Sequence, residues 1–293
     1  MFAESTCIGI LGMRIIDIED KCMKHKKFAR IFIEGIIEKD NDTYNQEWLL
    51  DTIDELADKK HIMGIILHID SPGGGVYQTD EVYQALLAYK KKTKKPVYAY
   101  FGSLAASGGY YIGLAADKIF ANRNTLTGSI GVISARFLDA SELLGKVGIK
   151  SEYIHTGRNK TMGDIATPPT QEQIAIMQRI SDESYEQFTG LVAERRNLSI
   201  ENVKELADGR IYTAKQALAA GLVDEIADFG EACDSIEKEL GYSLTAIDYK
   251  RKKKGLLKKF LGAKNQSGAD AVLAKLESPT PFPAFFFDTG RFR

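Results

Sequence analysis

Two glycine-rich turns carry residue types that could do chemistry. Residues 70–75 read DSPGGG and residues 104–109 read LAASGG. A run of glycines lets backbone N–H groups face a ligand, because no Cβ blocks the approach. Such donors can hold a developing oxyanion, each contributing roughly 3–4 kcal/mol to an acyl-transfer transition state. Ser107 lies in the second turn, between two alanines and two glycines. Its small neighbours leave space for a substrate, and the apolar run behind it reads as a short helix whose N-terminal field favours a developing negative charge. The same turn could serve packing or phosphate contact. The sequence has neither G-x-x-x-x-G-K-[ST] nor a G-x-G-x-x-G after a strand, which argues against a nucleotide.

A serine nucleophile needs a base. The four histidines are His25, His61, His68 and His155. His25 falls in a charged segment, and His61 and His68 flank or lie in a strand, which suits structural roles. His155 is expected to end a strand and is one candidate base. Lys160, in HTGRNKTMGD, is the other, and it can act only if burial or neighbouring positive charge holds it neutral. The residues alone leave that choice open. Tyr110 and Tyr111, just behind Ser107, fit a substrate-site lining or the core equally well.

The elements that must position these residues follow from periodicity. FARIFIEGI (28–36) reads as a strand, residues 46–60 as an amphipathic helix, and HIMGIILHID (61–70) as a buried strand ending at the first glycine turn. TDEVYQALLAYKKKT is expected to be a helix with Thr79 as its cap and lysines in its last turn. KPVYAYFG (95–102) is a strand that delivers the chain to Ser107. This alternation predicts parallel βα units with right-handed crossovers. Ligands in such sheets sit beyond the carboxyl ends of strands, so both glycine turns should meet at one site. KIFAN, GSIGVI and IKSEYIH (149–155) are further strand candidates, with a helix near 137–147 between the last two. From about residue 170 the chain turns mainly helical.

The chain has 293 residues, 44% hydrophobic and 27% charged, with a formal net charge of −1. That balance fits a globular domain and gives no reason to expect nucleic acid. Cys7, Cys22 and Cys233 form neither a disulfide framework nor a metal motif, and no metal or cofactor is expected. The apolar stretch at 7–16 is interrupted by Arg14 and is shorter than the ~20 residues of a membrane span. Eight basic residues fall between Lys250 and Lys264, beside Leu256, Leu257, Phe260 and Leu261. This basic amphipathic segment, 250–264, suits contact with an anionic membrane surface. The Pro/Phe-rich end, SPTPFPAFFFDTGRFR, suits docking in a groove as an extended peptide. The expected organisation is an N-terminal segment 1–27 without a full span, a domain 28–248 and a tail 249–293.

Taken in order, DSPGGG, GSLAASGGYYIGLAADKIFAN, TLTGSIGVI, TGRNKTMGD and LADGRIYTAKQALAAGLVDEI resemble the signal peptide peptidase A family, the short bacterial form of the S49 serine peptidases. The resemblance spans about residues 28–240. It implies an α/β fold of the ClpP/crotonase kind, a spiral of ββα units with a mainly helical C-terminal part. It also implies a Ser/Lys dyad with Ser107 as nucleophile, Lys160 as general base and Ser129 orienting the lysine. Gly74 and Gly108 fall on the oxyanion-hole positions. The implied activity is endopeptidase cleavage of signal peptides or other short apolar peptides. The implied assembly is a homo-oligomeric ring with sites between subunits. Family members are expected at a membrane; the interrupted N-terminal stretch leaves a cytoplasmic member as the alternative. A phage-type capsid-maturation protease and a crotonase-type acyl-CoA enzyme are the other activities considered, and the Ser107, Ser129 and Lys160 blocks argue against the second.

Overall fold

The computed structural model describes residues 25–251 together with the backbone of the strand Ala284–Phe286. An eight-stranded sheet runs through the domain. Its central strands are β1 (Lys26–Glu34), β2 (Ile62–Ser71) and β4 (Val97–Ala106), paired in parallel in the order β1–β2–β4. Helix α1 (Gln46–Asp58) connects β1 to β2, and α2 (Val76–Thr93) connects β2 to β4 through the short strand β3 (Gly73–Gly75). This is the βα alternation expected from the sequence, and the α/β class holds.

Both faces of the sheet are covered. Ala29, Ile31, Leu67, Ala99 and Phe101 face the large core under α1 and α2. The alternate residues Phe28, Ile66, Tyr98 and Phe120 form a second core with Ala232 and Ile236 of α8 (Phe229–Leu240). Double coverage explains why β2 reads as a nearly continuous apolar run and not as an alternating one.

Local chemistry fixes the helix ends. Asn45 caps α1 by accepting the Trp48 N–H at 2.7 Å. Thr170 and Gln173 form a reciprocal capping box on the long helix α5 (Gln171–Arg196). α2 begins earlier than expected: Gly75 precedes it, so Thr79 is not its cap but a buried residue inside it. The glycine turn itself launches the helix.

After β4 come α3 (Gly108–Gly113), β5 (Lys118–Ala121), β6 (Leu126–Gly128) and α4 (Ser141–Lys146). Beyond α5 lie α6 (Ile200–Leu206), β7 (Ile211–Thr213), α7 (Ala214–Ala219), β8 (Glu225–Ile226) and α8. β9 (Leu244–Tyr249) returns to pair in parallel with β1, fastened by a bidentate Arg30–Asp248 contact at 2.7 and 2.9 Å. The described residues of the domain run on to Arg251, whose guanidinium holds the Asn41 and Tyr44 carbonyls and the Asp40 carboxylate. Lys250 sits over the Phe32 ring at 3.8 Å. The rest of the basic segment expected at a membrane surface, 252–264, and the N-terminal stretch 7–16 lie outside the described residues. Among the described residues, no helix is long and apolar enough to cross a membrane.

The expected strand at 149–155 does not form. Those residues are exposed and have no regular structure. A strand needs a neighbour for its N–H and C=O groups, and no named strand of the sheet pairs with this segment.

Candidate active site

Both glycine turns lie at the carboxyl ends of adjacent strands and meet. β2 pairs with β4 up to Ser71 opposite Ala105, which sets the glycines of the two turns, Gly73–Gly75 and Gly108–Gly109, just beyond neighbouring strand ends. Asp70 clips them together: its carboxylate accepts from the Ser103 hydroxyl at 2.7 Å and from the Leu104 N–H at 3.1 Å. Ser71 organises the first turn, donating to the Gly35 carbonyl at 2.6 Å and accepting from the Gly73 N–H at 3.0 Å. Sequence reasoning gave Asp70 and Ser71 no role. The available signal was two short polar residues between a buried strand and a glycine run.

Gly74 is glycine for a steric reason. A Cβ there would lie 1.9 Å from the Ile37 carbonyl oxygen. Ile37 bridges the turn, donating to the Gly73 carbonyl and accepting from the Gly75 N–H, both at 2.8 Å. Gly73 and Gly75 therefore use one side of the strand, and the N–H and C=O of Gly74 face the opposite side.

Ser107 joins β4 to α3, a sharp strand-to-helix turn of the kind that presents a nucleophile. Its φ is 52° and its ψ −115°, a combination that L residues rarely adopt. Its N–H donates to the Gly128 carbonyl at 2.8 Å, and its carbonyl accepts from the Tyr111 N–H at 2.9 Å. Its Oγ is buried and lacks a hydrogen-bond partner among the described residues. A buried hydroxyl without a partner costs stability, so its retention points to a use outside the resting fold. Gly108 opens α3, and the first N–H groups of a helix have no partner within it.

Ser129 follows Gly128 directly, at the end of β6. β6 pairs with β4 so that Gly128 lies opposite Ala106. The two serines are thereby brought together at neighbouring strand ends. Ser129 also has a positive φ, 50°, and its N–H donates to the Arg210 carbonyl at 2.8 Å. Among the described non-glycine residues with positive φ, Lys94 and Asn197 are helix C-caps; the others are Ser107 and Ser129. Strain of this kind gathers at functional sites.

Lys160 is not brought to Ser107. It is exposed in the turn around 156–163, with its backbone N–H on the Gly157 carbonyl. Its ammonium makes no hydrogen bond or ion pair with another described residue, and His155 is likewise exposed without a link to Ser107. Tyr110 and Tyr111 belong to the core: the Tyr110 hydroxyl donates to the Leu222 carbonyl at 2.9 Å and the Tyr111 hydroxyl to Asp80 at 2.7 Å. Burial pushes both phenols well above their ordinary range. Cys233 is a half-buried thiol that burial pushes up to about 11, which keeps it unreactive. His68 stacks on Phe32 at 4.9 Å, and burial followed by Arg30 lowers its pKa, in keeping with a structural role.

The sequence profile of Peptidase family S49 matches residues 89–243, more than half of the chain. The chain belongs to peptidase family S49. It is therefore a serine peptidase by family. An Enterococcus faecium protein named "Putative signal peptide peptidase SppA" is 35% identical over 282 residues, 90% of this S49 chain and 81% of that protein. "Serine protease SPPA, chloroplastic" of Arabidopsis thaliana is 32% identical over 201 residues, 68% of this chain and 29% of that one. The Clp protease profile also matches, over residues 15–135. Among solved structures, a ClpP1 mutant from Listeria monocytogenes superposes with a TM-score of 0.45 at 23% identity, over 76% of this chain and 98% of that one.

Proposed function

We propose that the chain is a Ser/Lys-dyad endopeptidase that cleaves signal peptides or other short apolar extended peptides, and that its site is completed between subunits. The observation that carries this reading is the buried, unpartnered Oγ of Ser107, held at a strained strand-to-helix turn beside the Gly74 turn. Neutral Lys160 takes the proton from that Oγ, and the alkoxide attacks the peptide carbonyl carbon. The Gly74 and Gly108 N–H groups hold the oxyanion. The C–N bond breaks, the amine leaves with the proton from Lys160, and water hydrolyses the acyl-enzyme. Ser129 orients the lysine amine.

The lysine comes from a neighbouring copy. Supporting this, Lys160 is exposed and unpartnered among the described residues, and the segment before it carries uncovered apolar side chains. Ile133, Leu143, Val147, Ile149 and Ile154 are all exposed there. A run of that kind marks an association surface. The peptidase domain is proposed as 28–248, with tail and N-terminal segment outside it, and a membrane-associated placement follows the family.

The test is peptide hydrolysis by Ser107→Ala, Lys160→Ala and a co-refolded mixture of the two. Each variant alone should be inactive while its oligomer persists. The mixture should regain activity, because some sites combine an intact serine with an intact lysine from the next chain. A mixture without activity rejects the shared site; an active Lys160→Ala rejects the dyad.

A further inference from the structure

β4 leads into the Ser107 turn, and it is not a regular strand. Against β2 it pairs Phe101 with Ile69 and then Ala105 with Ser71. Asp70 alone therefore stands opposite three residues, Gly102, Ser103 and Leu104. This is a β-bulge, with two extra residues on β4. On its other edge β4 changes neighbour at the same place: it pairs with β5 as far as Phe101 and with β6 from Leu104 onward. We infer that Asp70 is a positioning residue for the peptidase reaction. Its carboxylate holds the bulge, and the bulge sets where Ser107 stands against the Gly74 turn. The inference rests on Ser107 being the nucleophile.

Register gives the size of the effect. The pairing that runs from Ile65–Val97 to Ile69–Phe101 would, if continued, put Ser103 opposite Ser71. The bulge puts Ala105 there, which draws Ser107 back by two residues, about 7 Å of strand. Both turns then count onward from one pair: Ser107 lies two residues past Ala105, and Gly74 three past Ser71. An oxyanion donor must come within about 3 Å of the oxygen it holds. An offset of about 7 Å therefore decides whether an N–H of the first turn can serve a reaction at the second.

A bulge disrupts the ladder, and the freed backbone groups need other partners. Asp70 supplies one side. Its Oδ1 accepts from the Leu104 N–H at 3.1 Å and from the Ser103 hydroxyl at 2.7 Å. The carboxylate also packs on Gly102, where a Cβ would lie 3.4 Å from it. Thr125 supplies the other side, its buried hydroxyl donating between the Gly102 and Phe101 carbonyls at 2.6 and 3.0 Å. Of the two, Asp70 belongs to β2, the strand that leads into the Gly74 turn, so it ties one turn to the other. Its own carbonyl is fixed by the Gly35 N–H at 2.9 Å. An ionised acceptor makes hydrogen bonds roughly twice as strong as a neutral one. Beyond the bulge only Ala105 and Ala106, both fully buried, separate Leu104 from Ser107. A shift at Leu104 therefore passes directly to the nucleophile.

The test uses the full-length chain with Asp70→Ala and Ser103→Ala, each beside a conservative variant, Asp70→Asn and Ser103→Thr. Hydrolysis of an apolar peptide should show kcat lowered roughly 10–100-fold in Asp70→Ala and roughly 3–10-fold in Ser103→Ala. KM should stay within about twofold, because Ile37 still bridges the first turn. The conservative variants keep the acceptor and the hydroxyl and should recover most of the lost kcat. A merely structural role predicts a lower urea midpoint with kcat intact, and that result overturns the inference; so does a loss carried by KM alone. If Asp70→Ala does not fold, Ser103→Ala decides, and wild-type kcat in that variant overturns the inference. Amide exchange at Leu104, in a Ser107→Ala background, should accelerate on the order of tenfold or more when Asp70→Ala is added; equal exchange overturns the hold on the bulge. If the wild-type chain hydrolyses no peptide, the peptidase reading fails, while exchange at Leu104 still decides whether Asp70 holds the bulge.

Discussion

Replacing Ser107 should make the protein more stable as it makes it inactive. Two costs converge on this residue. Its Oγ is buried without a described hydrogen-bond partner, a defect worth about 1–3 kcal/mol. Its backbone sits at φ 52°, ψ −115°, where a non-glycine residue costs on the order of 1–3 kcal/mol. Ser107→Ala removes the first cost alone and should stabilise by about 1–2 kcal/mol. Ser107→Gly removes both but adds about 0.5–1 kcal/mol of unfolded-chain entropy. The expected order is therefore Gly above Ala above the natural serine, with each step near 1 kcal/mol. Urea denaturation at fixed protein concentration reads this directly. With a slope of about 2 kcal/mol per molar, a 1.5 kcal/mol gain moves the midpoint by about 0.7 M. Fixed concentration matters because association contributes to apparent stability. If Ser107→Ala loses stability, the hydroxyl has a partner that the geometry does not show. If glycine falls below alanine, the turn is not strained. Either result refutes the argument that this fold carries a local defect for the sake of a nucleophile.

Gly74→Ala should cost both stability and rate, because its Cβ would lie 1.9 Å from the Ile37 carbonyl oxygen. Losing the two bridging hydrogen bonds costs about 2 kcal/mol, and moving the proposed oxyanion donor should lower kcat by roughly 10²–10³; a variant within a factor of three of wild type in kcat would exclude Gly74 from the oxyanion hole. The acid limb of stability should report Asp248, whose carboxyl the Arg30 guanidinium holds below the usual range. Its contribution is full above the ordinary carboxylate pKa of about 4 and is lost as pH falls through the lowered folded value, because the unfolded state then binds the proton more readily. Asp248→Asn should flatten that part of the profile, and an unchanged pH dependence would count against the Arg30 contact.

Much of the domain is legible in the sequence. β1, β2, β4 and α1 form within a few residues of where periodicity puts them, and the chain turns helical with α5 at Gln171, near the expected residue 170. Thr79 shows where local logic failed: a cap-like Thr-Asp-Glu lies inside α2, because Gly75 ends a bridged turn upstream and the helix starts there. The segment 149–155 has the composition of a strand but no strand beside it. β9 went unread because a parallel partner more than two hundred residues away leaves no local mark.

The site divides in the same way. Sequence by itself determined the residue types: a serine among small residues, a second glycine run after a neighbouring strand, a lysine far along the chain. It also determined the family, through blocks that occur in order. Only tertiary structure decided that the two turns meet, that Ser107 and Ser129 share strained backbone, that Lys160 lies apart from them, and that Ala284–Phe286 lies on Gly73–Gly75. Residue type and short-range period are properties of the chain read in order. Register, strain and proximity are set when distant strands pair, and those pairings depend on which backbone groups remain unsatisfied after the nearer ones have formed.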